Sequence, residues 1–186
     1  MHKKLFKKIL LSLLLVITIF ILGIVIYMLI PRTASDAAKS KITNPSANII
    51  TEYSENEIVC SPKNSSPETA IIFYTGAKIE HYAYGYMFAN LAENNVLCIA
   101  EDNFIHIPLL STQDCDSIFD RYPNIRNWYF AGHSLGGEVA DRQALKYQDR
   151  VKGAINLGAH LRQNFSSSSL QLLSVYASND TFAGQK

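Results

Sequence analysis

Five short apolar runs, separated by turns and by stretches of helical spacing, constrain this chain most. They occupy residues 69–75, 96–100, 127–131, 151–157 and 170–177. A strand with one face in water alternates polar and apolar residues. These runs do not, so both of their faces are expected to be buried. Between them, 82–94, 115–122 and 135–148 are spaced as helices; in the first, Tyr82, Tyr86, Ala89 and either Leu91 or Ala92 share a face. Buried strands alternating with helices predict an α/β fold with a mostly parallel, doubly wound sheet. Such sheets bind ligands beyond the carboxyl ends of their strands. Upstream, 49–60 reads as a hairpin or edge strand, and 64–67 as a turn. The serines at 166–169 read as a surface loop.

The amino terminus is of another kind. Residues 9–30 are apolar except for Ser12, Thr18 and Gly23. About 22 residues make a helix of about 33 Å, enough for a hydrocarbon core of about 30 Å. A cleaved signal peptide is the rival, since Ser35-Asp36-Ala37 faintly resembles a cleavage site. The length of the run and Pro31 beside it favour a retained transmembrane anchor. Lys3, Lys4, Lys7 and Lys8 precede the run, and the positive-inside rule keeps them cytoplasmic. The expected organisation is a basic tail at 1–8, an anchor at 9–30, a tether at 31–47 rich in Ala, Ser, Lys, Asn and Pro, and one domain at 48–186. The expected location is a cell membrane, crossed once, with the domain extracytoplasmic.

Without those four lysines the chain carries 13 basic against 16 acidic residues, and no basic cluster. Nucleic acid is therefore not an expected partner. Cys60, Cys98 and Cys115 have neither zinc-ligand nor redox spacing, so no metal is expected. Cys98 lies within an apolar run and reads as core.

The chemistry is carried where the third run ends, at Gly132-His133-Ser134-Leu135-Gly136-Gly137. This is a G-x-S-x-G pattern between an apolar strand and a helix, the context in which it presents a nucleophilic serine on a sharp bend. Gly132 and Gly136 are needed because side chains there would collide with neighbouring backbone. The Leu135 amide and the start of the following helix then point at the same place and suit an oxyanion. The bland alternative is a serine that only caps the helix. His133 is expected to point away from Ser134 and to be structural. In this layout the loop Gly76-Ala77-Lys78 supplies a second oxyanion donor, taken to be Ala77. Asp180, just past the fifth run, stands where a triad carboxylate belongs, and the order Ser then Asp agrees.

These pieces together resemble the α/β-hydrolase superfamily, most closely a compact bacterial branch described as α/β-hydrolase or dienelactone-hydrolase-like. The resemblance rests on Ile72-Phe73-Tyr74-Thr75-Gly76-Ala77-Lys78, on Trp128 to Gly137, and on Ser174-Val175-Tyr176-Ala177-Ser178-Asn179-Asp180. It implies hydrolysis of an ester, thioester or amide in a small-molecule substrate, with no cofactor. Ser134 would attack, Asp180 would support the base, and Leu135 with Ala77 would form the oxyanion hole.

One member of the set departs from the pattern. The family's histidine follows the acid, and here none of the six residues after Asp180 is His. A chain truncated before that histidine, a C-terminally incomplete fold, is the favoured expectation; an inactive short variant and an unexpected base are the others. His160 lies at the correct edge of the sheet, but chain order disfavours it as the base, since it precedes the acid. His81 is less favoured still, and His106 suits packing or substrate contact. An incomplete fold would also expose a sheet edge and apolar surface. Tyr82, Tyr84 and Phe104 are candidate pocket aromatics. Against the hydrolase stands a catalytically inactive binding or scaffold module of the same fold. Acyl transfer to an acceptor other than water shares the same intermediate. The short link between the fourth and fifth strands leaves no room for a large lid and suggests a small or accessible substrate.

Overall fold

The computed structural model describes residues 2–54, 57–102, 106–111 and 114–180. Its centre is a seven-stranded sheet of order β1-β2-β4-β3-β5-β6-β7. The strands are β1 (Ile49–Tyr53), β2 (Glu57–Pro62), β3 (Thr69–Tyr74), β4 (Val96–Glu101), β5 (Asn127–His133), β6 (Val151–Leu157) and β7 (Gln171–Val175). β1 and β2 form an antiparallel hairpin, and β2 joins β4 antiparallel. From β4 through β3, β5 and β6 to β7 every pairing is parallel. The five apolar runs thus become the parallel strands, and the upstream segment becomes the hairpin.

Alternate residues of the central strands feed two cores. Ala70, Ile72 and Tyr74 of β3 pack with α4 (Cys115–Arg121) and α5 (Leu135–Lys146), through Ile118, Phe119, Val139 and Ala144. Ile71 and Phe73 face the other side, against Phe88, Ala89 and Ala92 of α3 (Gly85–Glu93). Each large apolar side chain so buried contributes about 1.5–3 kcal/mol before entropy is counted. The helix expected at 82–94 is α3 preceded by a 3₁₀ turn at His81–Tyr84.

Two expectations change. The tether at 31–47 is not loose: Arg32 bridges Ile79 in parallel, and Asp36–Thr43 forms a helix, α2. Ser35 caps α2 by accepting from the Ala38 amide, and Ile42 is wholly buried in the α3-side core. A side chain at Gly85 would strike the Ala38 carbonyl, so α2 and α3 touch backbone to backbone. Second, among the described residues β7 is paired on one edge only, and all five of its residues are exposed. Leu172, Leu173, Val175 and neighbouring Tyr176 remain in contact with solvent, so the fifth strand is not sandwiched as its apolar sequence implied. All three cysteines are buried thiols, outside any disulfide. Cys60 faces Cys98 across the β2–β4 ladder, and burial raises the Cys60 thiol to about 12.

The amino-terminal helix α1 (His2–Leu29) includes an apolar span, Lys3–Tyr27, with mean hydropathy 3.3. None of that span is buried by the protein. Its length and composition are those of a helix able to cross a membrane.

Candidate active site

The bend at Ser134 is the most constrained backbone in the site. Ser134 has φ 52° and ψ −121°, a conformation side-chain-bearing residues rarely adopt and one that persists only where surroundings enforce it. Its neighbours do so. The Ser134 amide donates to the Leu157 carbonyl on β6 at 2.9 Å, and its carbonyl accepts from Gly137 at 3.0 Å. A Cβ at Gly132 would overlap the Gly136 carbonyl, and one at Gly136 would overlap the carbonyls of Tyr74 and Thr75. Glycine at both places is what lets α5 start hard against β3 and β5. The Ser134 side chain makes no capping hydrogen bond to α5, which disfavours the capping role. Leu135, the first helical residue, has no preceding turn to receive its N–H.

The loop after β3 is held from several sides. The Gly76 N–H donates to the Tyr84 hydroxyl at 2.9 Å, Lys78 N–H to the His106 carbonyl at 2.7 Å, and Ile79 N–H to the Gly76 carbonyl at 3.2 Å. The Glu80 N–H donates to the Arg32 carbonyl. Among the described residues, Ala77 is the member of this run whose N–H has no acceptor. Tyr84 also meets His133 Nδ1 at 3.0 Å, and a Cβ at Gly76 would come within 2.7 Å of that nitrogen. His133 is thus packed between the loop and Tyr84, in line with the structural role expected of it. Burial lowers its pKa, and the nearby Asp180 carboxylate opposes that shift.

Behind the loop, Asp102 meets two histidines, His106 Nδ1 at 2.9 Å and buried His81 Nδ1 at 3.5 Å. Although partial burial opposes ionisation, the hydrogen bond from His106 and the closeness of the His81 ring hold the Asp102 carboxyl below its ordinary range. The two loops are thereby clamped together. Asp102 and His106 lie four residues apart on the connection after β4, and His81 joins them from the connection after β3, a meeting that sequence spacing does not disclose. Among the described residues no group of three or more His, Cys, Asp and Glu is placed to hold a metal ion.

A cavity of about 80 Å³ opens beside the bend, lined by Ser134, Leu135, Glu138, Gly158, Ala159, His160 and Arg162. Ser134 and Leu135 therefore share it. His160, demoted on chain order, shares it too. Its signal was position: it follows β6 at the same edge of the sheet. Asp180 reaches that edge from β7. A Cβ at Gly158 would be 3.7 Å from Asp180 Oδ2 and 3.9 Å from His133 Nε2, so acid and ring flank the same residue. Tyr84 serves the loop rather than the cavity, and Tyr82 packs on His81 and Tyr53. Phe104 lies outside the described residues.

The chain resembles several solved hydrolases in fold. A carboxyl esterase from Bacillus coagulans is 16% identical, with a TM-score of 0.48 over 64% of this chain and 46% of that one. Potato epoxide hydrolase I is 18% identical, with a TM-score of 0.45 over 62% and 41%. An S-formylglutathione hydrolase from Agrobacterium tumefaciens is 14% identical, with a TM-score of 0.45 over 60% and 57%. This chain thus spans roughly two fifths to three fifths of the length of these relatives. Curated protein sequences yield no match. The sequence profile of the alpha/beta hydrolase family matches residues 70–186, which include β3 to β7, the bend at Ser134 and Asp180. With well over half of its length matched, the chain belongs to the alpha/beta hydrolase family.

Proposed function

We propose that the protein is a membrane-anchored serine hydrolase that cleaves an ester-like bond through an acyl-enzyme at Ser134. The observation that carries this is the backbone of Ser134, held at φ 52° with its side chain unused as a cap and opening on a cavity. Strain of this kind has no structural use at an ordinary strand-to-helix turn.

In the proposed step, Ser134 Oγ bonds to the substrate carbonyl carbon and its proton passes to a base. Negative charge moves onto the carbonyl oxygen. The N–H groups of Leu135 and Ala77, neither engaged within the described structure, receive it, and the start of α5 adds its dipole. Collapse expels the leaving group with the proton, and water then hydrolyses the acyl-serine. His160 is the histidine that lines the cavity with Ser134, so we assign it as the base. Asp180 supplies negative charge at the same edge, beside Gly158, and would stabilise an imidazolium formed there. The bond is that of a carboxylic ester, thioester or amide in a small molecule. Helix α1 holds the domain to a cell membrane, with the lysines before the span on the cytoplasmic side and the domain beyond it.

A fluorophosphonate probe on the full chain in detergent tests this. Label is expected on the Ser134 peptide and is expected to vanish in Ser134→Ala. His160→Gln should slow labelling by about 100-fold if His160 is the base. An unlabelled Ser134 would instead favour the non-catalytic binding module.

A further inference from the structure

We infer that the site works at the bilayer surface, on a carboxylic ester belonging to a membrane lipid. This rests on the serine chemistry and the anchor proposed above, and it goes beyond them by fixing where the substrate resides.

The anchor is not joined to the domain by a long spacer. Two residues past Ile30, Arg32 is already bridged to Ile79, with Arg32 N–H to the Lys78 carbonyl at 2.6 Å. Ile79 lies two residues from Ala77. The Lys78 ammonium sits 3.1 Å above the ring of Tyr27, inside the last turn of α1. A tyrosine at the end of an apolar span belongs at the membrane–water interface. The loop proposed to hold the oxyanion is therefore tied to the point where the chain leaves the bilayer.

The same edge also exposes leucines among its charged groups. Leu109 and Leu110, in a 3₁₀ turn on the connection after β4, are exposed, as is Leu161 after β6. These connections and the bend at Ser134 all leave the carboxyl ends of parallel strands, so they share one edge of the sheet. Exposed leucines on such a rim suit insertion among lipid headgroups and upper acyl chains. The cavity beside Ser134, about 80 Å³, cannot enclose a long acyl chain. A lipid ester would present its carbonyl at headgroup level while its chain stayed in the bilayer, so no extraction is needed.

The test uses the full chain in vesicles of phosphatidylcholine and phosphatidylglycerol. The native cysteines are buried, so a bimane dye can be placed on Leu161→Cys, or on Asn124→Cys at the opposite edge. Nitroxide-bearing lipids are expected to quench the first and spare the second. Equal quenching at both positions, or none at Leu161→Cys, overturns the inference whether or not the protein is active. The second arm compares p-nitrophenyl palmitate carried in the vesicles with soluble p-nitrophenyl acetate. Leu110→Asp with Leu161→Asp should lower the palmitate-to-acetate rate ratio by about tenfold. An unchanged ratio overturns the lipid substrate. Failure of the wild type to be labelled at Ser134 or to cleave either ester sinks the serine-hydrolase function and is read separately from the quenching.

Discussion

Asp141 is wholly buried in α5, where one carboxylate oxygen accepts from Asn156 of β6 at 2.9 Å. Desolvation raises its pKa from 3.8 to about 6, with the Asn156 hydrogen bond opposing. Its other oxygen and the Asn156 carbonyl oxygen find no hydrogen-bond partner among the described residues. The folded protein thus binds this proton more tightly than the unfolded chain does. The resulting stability is present below about pH 4, is lost as pH rises through the interval to about 6, and leaves a buried charge above it. Asp141→Asn removes the charge and offers a donor towards Asn156. It should raise unfolding free energy by about 2–3 kcal/mol at pH 8 and by little below pH 4, measured by urea titration at both. At this scale the sequence was informative about Ser134, Gly132 and Gly136, because their roles follow from local backbone geometry. It was silent on Asp141 and on the Asp102 clamp, and it did not place His160 in the cavity beside Ser134. Those roles depend on which residues separate strands bring together.

Among the elements, β6 begins and ends where its apolar run does, at Val151 and Leu157. The parallel strands were legible because burial on both faces leaves a plain mark in sequence. Helix α2 was not. Its eight residues are mostly polar, and only Ala38 and Ile42 are buried, too few to set up a helical period. Those two contacts nevertheless fix the segment between the span and the Ala77 loop. Ile42→Ala should cost about 2–4 kcal/mol if α2 is docked as described, and the loop at 76–80 should lose amide-exchange protection with it. A true tether would show neither effect, so hydrogen exchange on wild type and variant checks the point.

For the molecule as a whole, β7 is the exposed flank. Its outer edge is unpaired among the described residues, and Leu173 and Val175 are about half exposed. An apolar edge strand of this kind recruits further strands. Leu173→Lys should reduce self-association of the purified chain without lowering its melting temperature, by light scattering and calorimetry. Aggregation that is unaffected would place the adhesive surface elsewhere, α1 included. The apolar sequence of β7 identified it as a strand; its apolar pattern alone implied two covered faces, whereas the departure from the family pattern after Asp180 pointed to an exposed edge.

The central claim is a covalent one, and mass measurement tests it most directly. The full chain is mixed with p-nitrophenyl acetate, quenched in acid within the first turnover and digested. The expected result is an acetyl group on the peptide containing Ser134, released on standing and absent from Ser134→Ala. Acetyl found only on lysines or the amino terminus, at the same level in both proteins, would contradict the account.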